Sequence, residues 1–170
     1  MKPLVVTSAM TNMNGVFYPT GHVLALFKDQ AAVQKMVAAL DGAHHHGSVA
    51  YADSERIRQQ ITKTVEGTES ILPSSGADND LVRRIDDLAQ RGCHGMLIEL
   101  SDKDNIETVQ SAVQAHGAQA AFYYRTFIIE ELVEQPKNLE SQSVTGTHSP
   151  GAHPDTTASE NHPRTEIQRD

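Results

Sequence analysis

Apolar positions fall along this chain in a rhythm that occurs twice. The run HVLALF at 22–27 has the length and composition of a compact strand. After Asp29, apolar residues return at Val33, Met36, Val37 and Leu40. Spacings of three and four line them along one side of a helix from Asp29 to Asp41. Asp29 is placed to cap that helix, and Gly42 to end it with a left-handed residue. Ser48–Ala52 predicts a short second strand. Asp53 or Ser54 then opens a helix over 54–66, with Ile57, Ile61 and Val65 on one side.

The rhythm resumes after Gly92. Gly95–Leu100 predicts a third strand, Asp102–His116 a helix capped by Ser101, and Ala118–Tyr124 a fourth strand. Thr126–Glu134 predicts a short last helix, ended before Pro136. Laid over one another, His22–Ile57 and His94–Ile129 match His22 with His94, Asp29 with Asp102, Tyr51 with Tyr123 and Ile57 with Ile129. Val33, Met36 and Leu40 meet Ile106, Val109 and Val113. The stretch 67–79 between the copies has a linker's composition. A further helix over Asp80–Arg91 carries Leu81, Val82, Ile85, Leu88 and Ala89 at helical spacing. Ahead of the first copy, Leu4–Val6 is a β-prone edge strand or ordered arm.

A tandem strand–helix–strand duplication predicts an α+β fold, the ferredoxin-like sandwich. Its four antiparallel strands take the spatial order 4-1-3-2, with both repeat helices on one face. Alternation along the strands then assigns Leu24, Leu26, Met96 and Ile98 to the helix-covered face. The other face carries Ala25, Phe27, Leu97 and Glu99, joined by Tyr51 and Tyr123. No helix in the pattern clearly covers it, and an uncovered, partly apolar face marks an interface. Two readings follow: a homodimer through the sheet face, or a small-molecule ligand held by Glu99, Phe27, Tyr51 and Tyr123.

Three segments carry a family resemblance: MTNMNGVFYPTGHVLALF, SILPSSGADNDLVRRIDDLAQRG and YYRTFIIEEL. With the duplication, they resemble an uncharacterised proteobacterial family with a duplicated ferredoxin-like domain, akin to small general-stress proteins. The resemblance covers about residues 3–134. It implies a stress-associated role and no particular activity.

Composition divides the chain into a folded domain, 1–135, and a tail, 136–170. Ser, Thr, His, Pro and acidic residues dominate the tail. Such a segment buries too little apolar surface to offset roughly 1–2 kcal/mol of ordering cost per residue, so it is expected to be disordered. A net charge of −8 and a pI near 5.5, with no basic cluster, argue against nucleic acid and anionic membrane surfaces as partners. RNA-recognition sheets also want aromatics on their central strands, where this chain has GMLIEL. No segment approaches the roughly 20 apolar residues of a membrane span, and the N-terminus does not read as a signal peptide. The lone cysteine, Cys93, rules out an intrachain disulfide and suits a reducing compartment, so the cytoplasm is the expected location.

The chemistry on offer is sparse. P-loop, GxGxxG, GxSxG and HExxH patterns are all missing, and no cofactor is expected. The run His44-His45-His46 is the nearest thing to a metal site, but adjacent residues on an extended chain point to opposite sides, and adventitious binding is the favoured reading. His22 and His94 begin antiparallel neighbouring strands. That puts them roughly 15–20 Å apart, too far to share an ion or a proton. Glu99, within a central strand, lies on a wet face or pairs with Arg125 or another base in the favoured reading; otherwise burial raises its pKa and it is the candidate base of an isomerase- or monooxygenase-like enzyme. The pattern as a whole reads as a non-enzymatic, homodimeric binding module, with the small-ligand protein or enzyme as the alternative.

Overall fold

The computed structural model describes residues 2–64 and 76–133, with side chains for 2–64 and 80–133. The tail at 136–170, the linker up to residue 75 and Val65 lie outside the described residues. In chain order the elements are β1 (Lys2–Pro3), β2 (His22–Phe27), α1 (Gln30–Gly42), β3 (Val49–Ala52), α2 (Ser54–Gln60), α3 (Gly76–Gln90), β4 (His94–Glu99), α4 (Ile106–Ala115), β5 (Ala118–Tyr124) and β6 (Ile129–Glu131).

Local chemistry explains most boundaries. The Asp29 carboxylate accepts from the Ala32 amide at 2.9 Å, and Asp53 accepts from the Arg56 amide at 2.7 Å, so both carboxylates cap orphan N–H groups. The helix after Asp29 buries Val33, Met36 and Leu40. Its end departs from expectation. Gly42 is still helical, and the left-handed residue is His44, with φ of 55°. For a residue with a Cβ that conformation is uncommon.

Two further elements differ from the sequence reading. The second repeat helix begins at Ile106 rather than Asp102, capped by Asn105 through the Glu107 amide at 2.8 Å. Ser101 and Asp104 hold the preceding turn instead. The last helix over 126–134 is a strand, β6, because Arg125–Ile128 turns the chain back and the Arg125 amide donates to the Ile128 carbonyl at 2.9 Å. The β-branched pair Ile128-Ile129 suits the extended backbone, and β6 pairs antiparallel with β5.

The strands form one six-stranded sheet in the order β1-β3-β4-β2-β5-β6, not the four-stranded sheet expected. β1 pairs parallel with β3, and every other neighbour is antiparallel, so the sheet is mixed. The two extra strands add to the outer edges of β3 and β5. Together with the helices they make a mixed α+β protein.

Register decides which residues share a face. His22 stands opposite Glu99, Val23 opposite Ile98 and Ala25 opposite Met96. Even-numbered residues of β2 therefore share a face with odd-numbered residues of β4. Val23, Ala25, Phe27, Met96 and Ile98 lie together under α1 and α4, with Val33, Met36, Leu40, Val109 and Val113. Leu24, Leu26 and Leu97 lie on the other side with Phe122 and Tyr124. The expected grouping of Leu24 and Leu26 with Met96 and Ile98 mixed the two faces.

The face expected to be open is closed. Ile57 and Ile61 around α2, Val82, Ile85 and Leu88 of α3, and Leu4, Val16 and Phe17 of the N-terminal segment cover it. Gly95 permits this approach: a Cβ there would stand 3.2 Å from Cδ1 of Ile57. Each large side chain enclosed this way contributes roughly 1.5–3 kcal/mol. A homodimer through the sheet face and a ligand pocket on it have no bare surface to use.

Candidate functional site

Where α1 hands over to β3, the segment Ala43–Ser48 packs against the Ser101–Asn105 turn. Asp104 joins them. Its Oδ2 accepts from the Ser101 amide at 2.8 Å, the Ser101 hydroxyl at 2.6 Å and the Gly47 amide at 3.1 Å. Its Oδ1 accepts from the His46 amide at 2.8 Å and stands 3.2 Å from Nδ1 of His45. The Asp104 side chain keeps 3% of its surface and that of His45 keeps 5%. Burial by itself would raise the Asp104 pKa. Donation by the Ser101 hydroxyl and by the His46 and Ser101 amides, together with the His45 ring, outweighs it and holds the carboxyl well below its ordinary range.

An ionised carboxylate only accepts, and Nδ1 is the ring nitrogen of His45 that faces Asp104. Nε2 is buried and has no hydrogen-bond partner among the described residues. A buried polar atom left alone costs about 1–3 kcal/mol, so it calls for a reason. His45 lines a cavity of about 420 Å³ together with Lys2, Val37, Leu40, Asp41, Gly47, Ser48 and Val49. Apolar side chains from α1 and β3 form one part of the wall; an ammonium, a carboxylate, an imidazole and a hydroxyl form the rest.

Gly47 presses the segment onto the end of the sheet. A Cβ at this position would overlap the Glu99 carbonyl oxygen and stand 3.0 Å from Nε2 of His45. Beside it, Ser48 donates to Glu99 Oε2 from its hydroxyl at 2.6 Å and from its amide at 3.2 Å. Those two bonds are the main reason that Glu99 titrates below its ordinary value, with His22 and His45 adding a smaller pull against modest burial. Burial does not raise the Glu99 pKa: its carboxylate is paired, with Ser48.

The other expected site residues are dispersed. Phe27 is fully enclosed under α1 and α4, on the opposite face from Glu99 and at the other end of the strands. The Tyr51 hydroxyl is 2.7 Å from Nδ1 of His94, their rings stacked at 5.9 Å; burial, then Asp53, raises the phenol's pKa. Tyr123 lies under the Arg125 guanidinium, 4.9 Å from the ring centroid. His22 and His94 stand opposite Glu99 and Phe27, at opposite ends of their strands. His44 and His46 are exposed while His45 points inward, and no group of three or more metal-ligating side chains exists among the described residues.

Sequence reasoning missed Asp104, Ser101 and Ser48. The trace they leave is faint: the polar run SDKDN, where Asp follows Ser by three positions, and a Gly-Ser pair after the histidines. No family model, curated protein or solved structure matches this chain.

Proposed function

We propose that this chain is a non-enzymatic binding module whose small-molecule ligand sits in the cavity beside His45, at the end of the sheet rather than on its face. The carrying observation is the imidazole on the cavity wall, oriented by a buried carboxylate and left with one unpartnered nitrogen. Pockets of roughly 300–1,000 Å³ with apolar walls and a few placed polar groups are the usual form of such sites. Binding is favoured over catalysis because the nearby hydroxyl, Ser48, is committed to Glu99.

The same reading takes the fold as a ferredoxin-like duplication, enlarged by β1 and β6. Its support is the order β3-β4-β2-β5 of the central strands and the placement of α1 and α4 on one face. The resemblance to small stress-associated proteins belongs to this proposal as well.

The test is a methyl and amide NMR titration of the full chain with a panel of small metabolites. A binder is expected to perturb Val37, Val49 and Ser48 together, and His45→Ala to weaken it about ten-fold, the scale of one lost hydrogen bond. If no compound in the panel moves those signals, or if hits bind the His45→Ala protein equally well, the cavity is not the site.

A further inference from the structure

A second concave surface lies beside β5 and β6, away from the His45 cavity. Two turns flank it. In the first, the Asn12 side chain accepts from the amides of Asn14 and Val16, and Met13 stands at 105% exposure. In the second, Phe127 and Ile128 are 91% and 66% exposed. Between them runs a groove of about 870 Å³ lined by Phe122, Ile129 and Leu81 as well as by Met13 and Phe127. Near-complete exposure of Met13 and Phe127 on the rim of one hollow is the mark of a contact surface.

Charge argues for the occupant. The chain carries −8 overall, so most approaches between two copies are repulsive. The groove carries little charge. Glu131, its one charged lining residue among the described residues, is paired with Arg84 through bonds of 2.7 and 3.1 Å. Shape argues the same way. Phe127 projects from the edge of the groove it lines, so knob and hollow belong to one patch. A patch of that kind satisfies itself through a two-fold axis and closes as a dimer rather than running on as a fibre.

We propose that two copies of this chain meet at this groove, the Phe127 side chain of each entering the hollow of the other. The contact replaces the sheet-face dimer that the sequence suggests and is independent of the His45 cavity.

Light scattering after size exclusion, from low to high micromolar full-length chain, tests it. The expected mass is twice 18.5 kDa. Phe127→Asp is expected to weaken association at least about ten-fold, as loss of a central aromatic anchor does, while His45→Ala leaves it unchanged. A second reading needs no variant: on dilution the Met13 methyl signal should shift with the monomer fraction. A wild-type mass of 18.5 kDa throughout, a dimer that survives Phe127→Asp, or a Met13 signal that ignores concentration would each overturn the proposal; the first result would leave the groove to a different partner.

Discussion

Asp104 Oδ1 stands 3.2 Å from His45 Nδ1, and the two residues come from different halves of the chain. The carboxylate holds the turn after β4 and the segment before β3 in one hydrogen-bonded unit. Removing it strands the amides of Ser101, His46 and Gly47. Asp104→Ala is therefore expected to cost about 3 kcal/mol of folding stability in urea titration. A loss below about 1 kcal/mol would mean that water replaces the carboxylate without penalty.

The same group predicts an acid limb. A carboxyl whose folded pKa is lowered adds stability that is fully present above its ordinary value of 3.8 and is lost as pH falls through the lowered folded value. Asp104→Asn should flatten the decline of stability below pH 3.8. Equal acid slopes for the two proteins would refute the assignment.

Gly47→Ala should destabilise by about 3 kcal/mol, because the added methyl overlaps main-chain atoms of Glu99 that cannot rotate away. Amide exchange should quicken first at Gly47 and Ser48. A variant as stable as the parent would show that the segment has room to lift.

Phe27→Ala is expected to cost about 4 kcal/mol, the scale for emptying a fully enclosed aromatic site. Thermal and chemical denaturation both measure it. Were Phe27 on a ligand-facing surface, the cost would be small and a binding defect would appear in its place.

Tyr51→Phe removes the 2.7 Å bond to His94 and should cost about 1 kcal/mol. Ring signals of His94 should move while those of His45 stay still, since the two imidazoles have separate surroundings.

The helix after Asp29 and the strand HVLALF were legible because cap, period and length agree within a few adjacent residues. Register was not. Whether Leu24 lies with Met96 or with Leu97 depends on a one-residue choice in how β2 meets β4, and no local preference encodes it. β6 was hidden by shortness: three residues satisfy a helix or a strand equally, and pairing with β5 decides. The candidate site was least visible of all. Asp104 reads as one more acid in a polar run, and only folding brings it to His45.

The register also sorts the connections. His22, Val49, Glu99, Tyr124 and Ile129 mark one end of the sheet, and Phe27, Ala52, His94 and Ala118 the other. The histidine segment, the Asp104 turn and the Phe127 turn all leave from the first end. Both proposed contact sites therefore lie toward one end of the described sheet. Labels, tethers or inserted residues near Gly92 and Gly117, beside the opposite end, give handles on this protein that keep clear of both proposed sites.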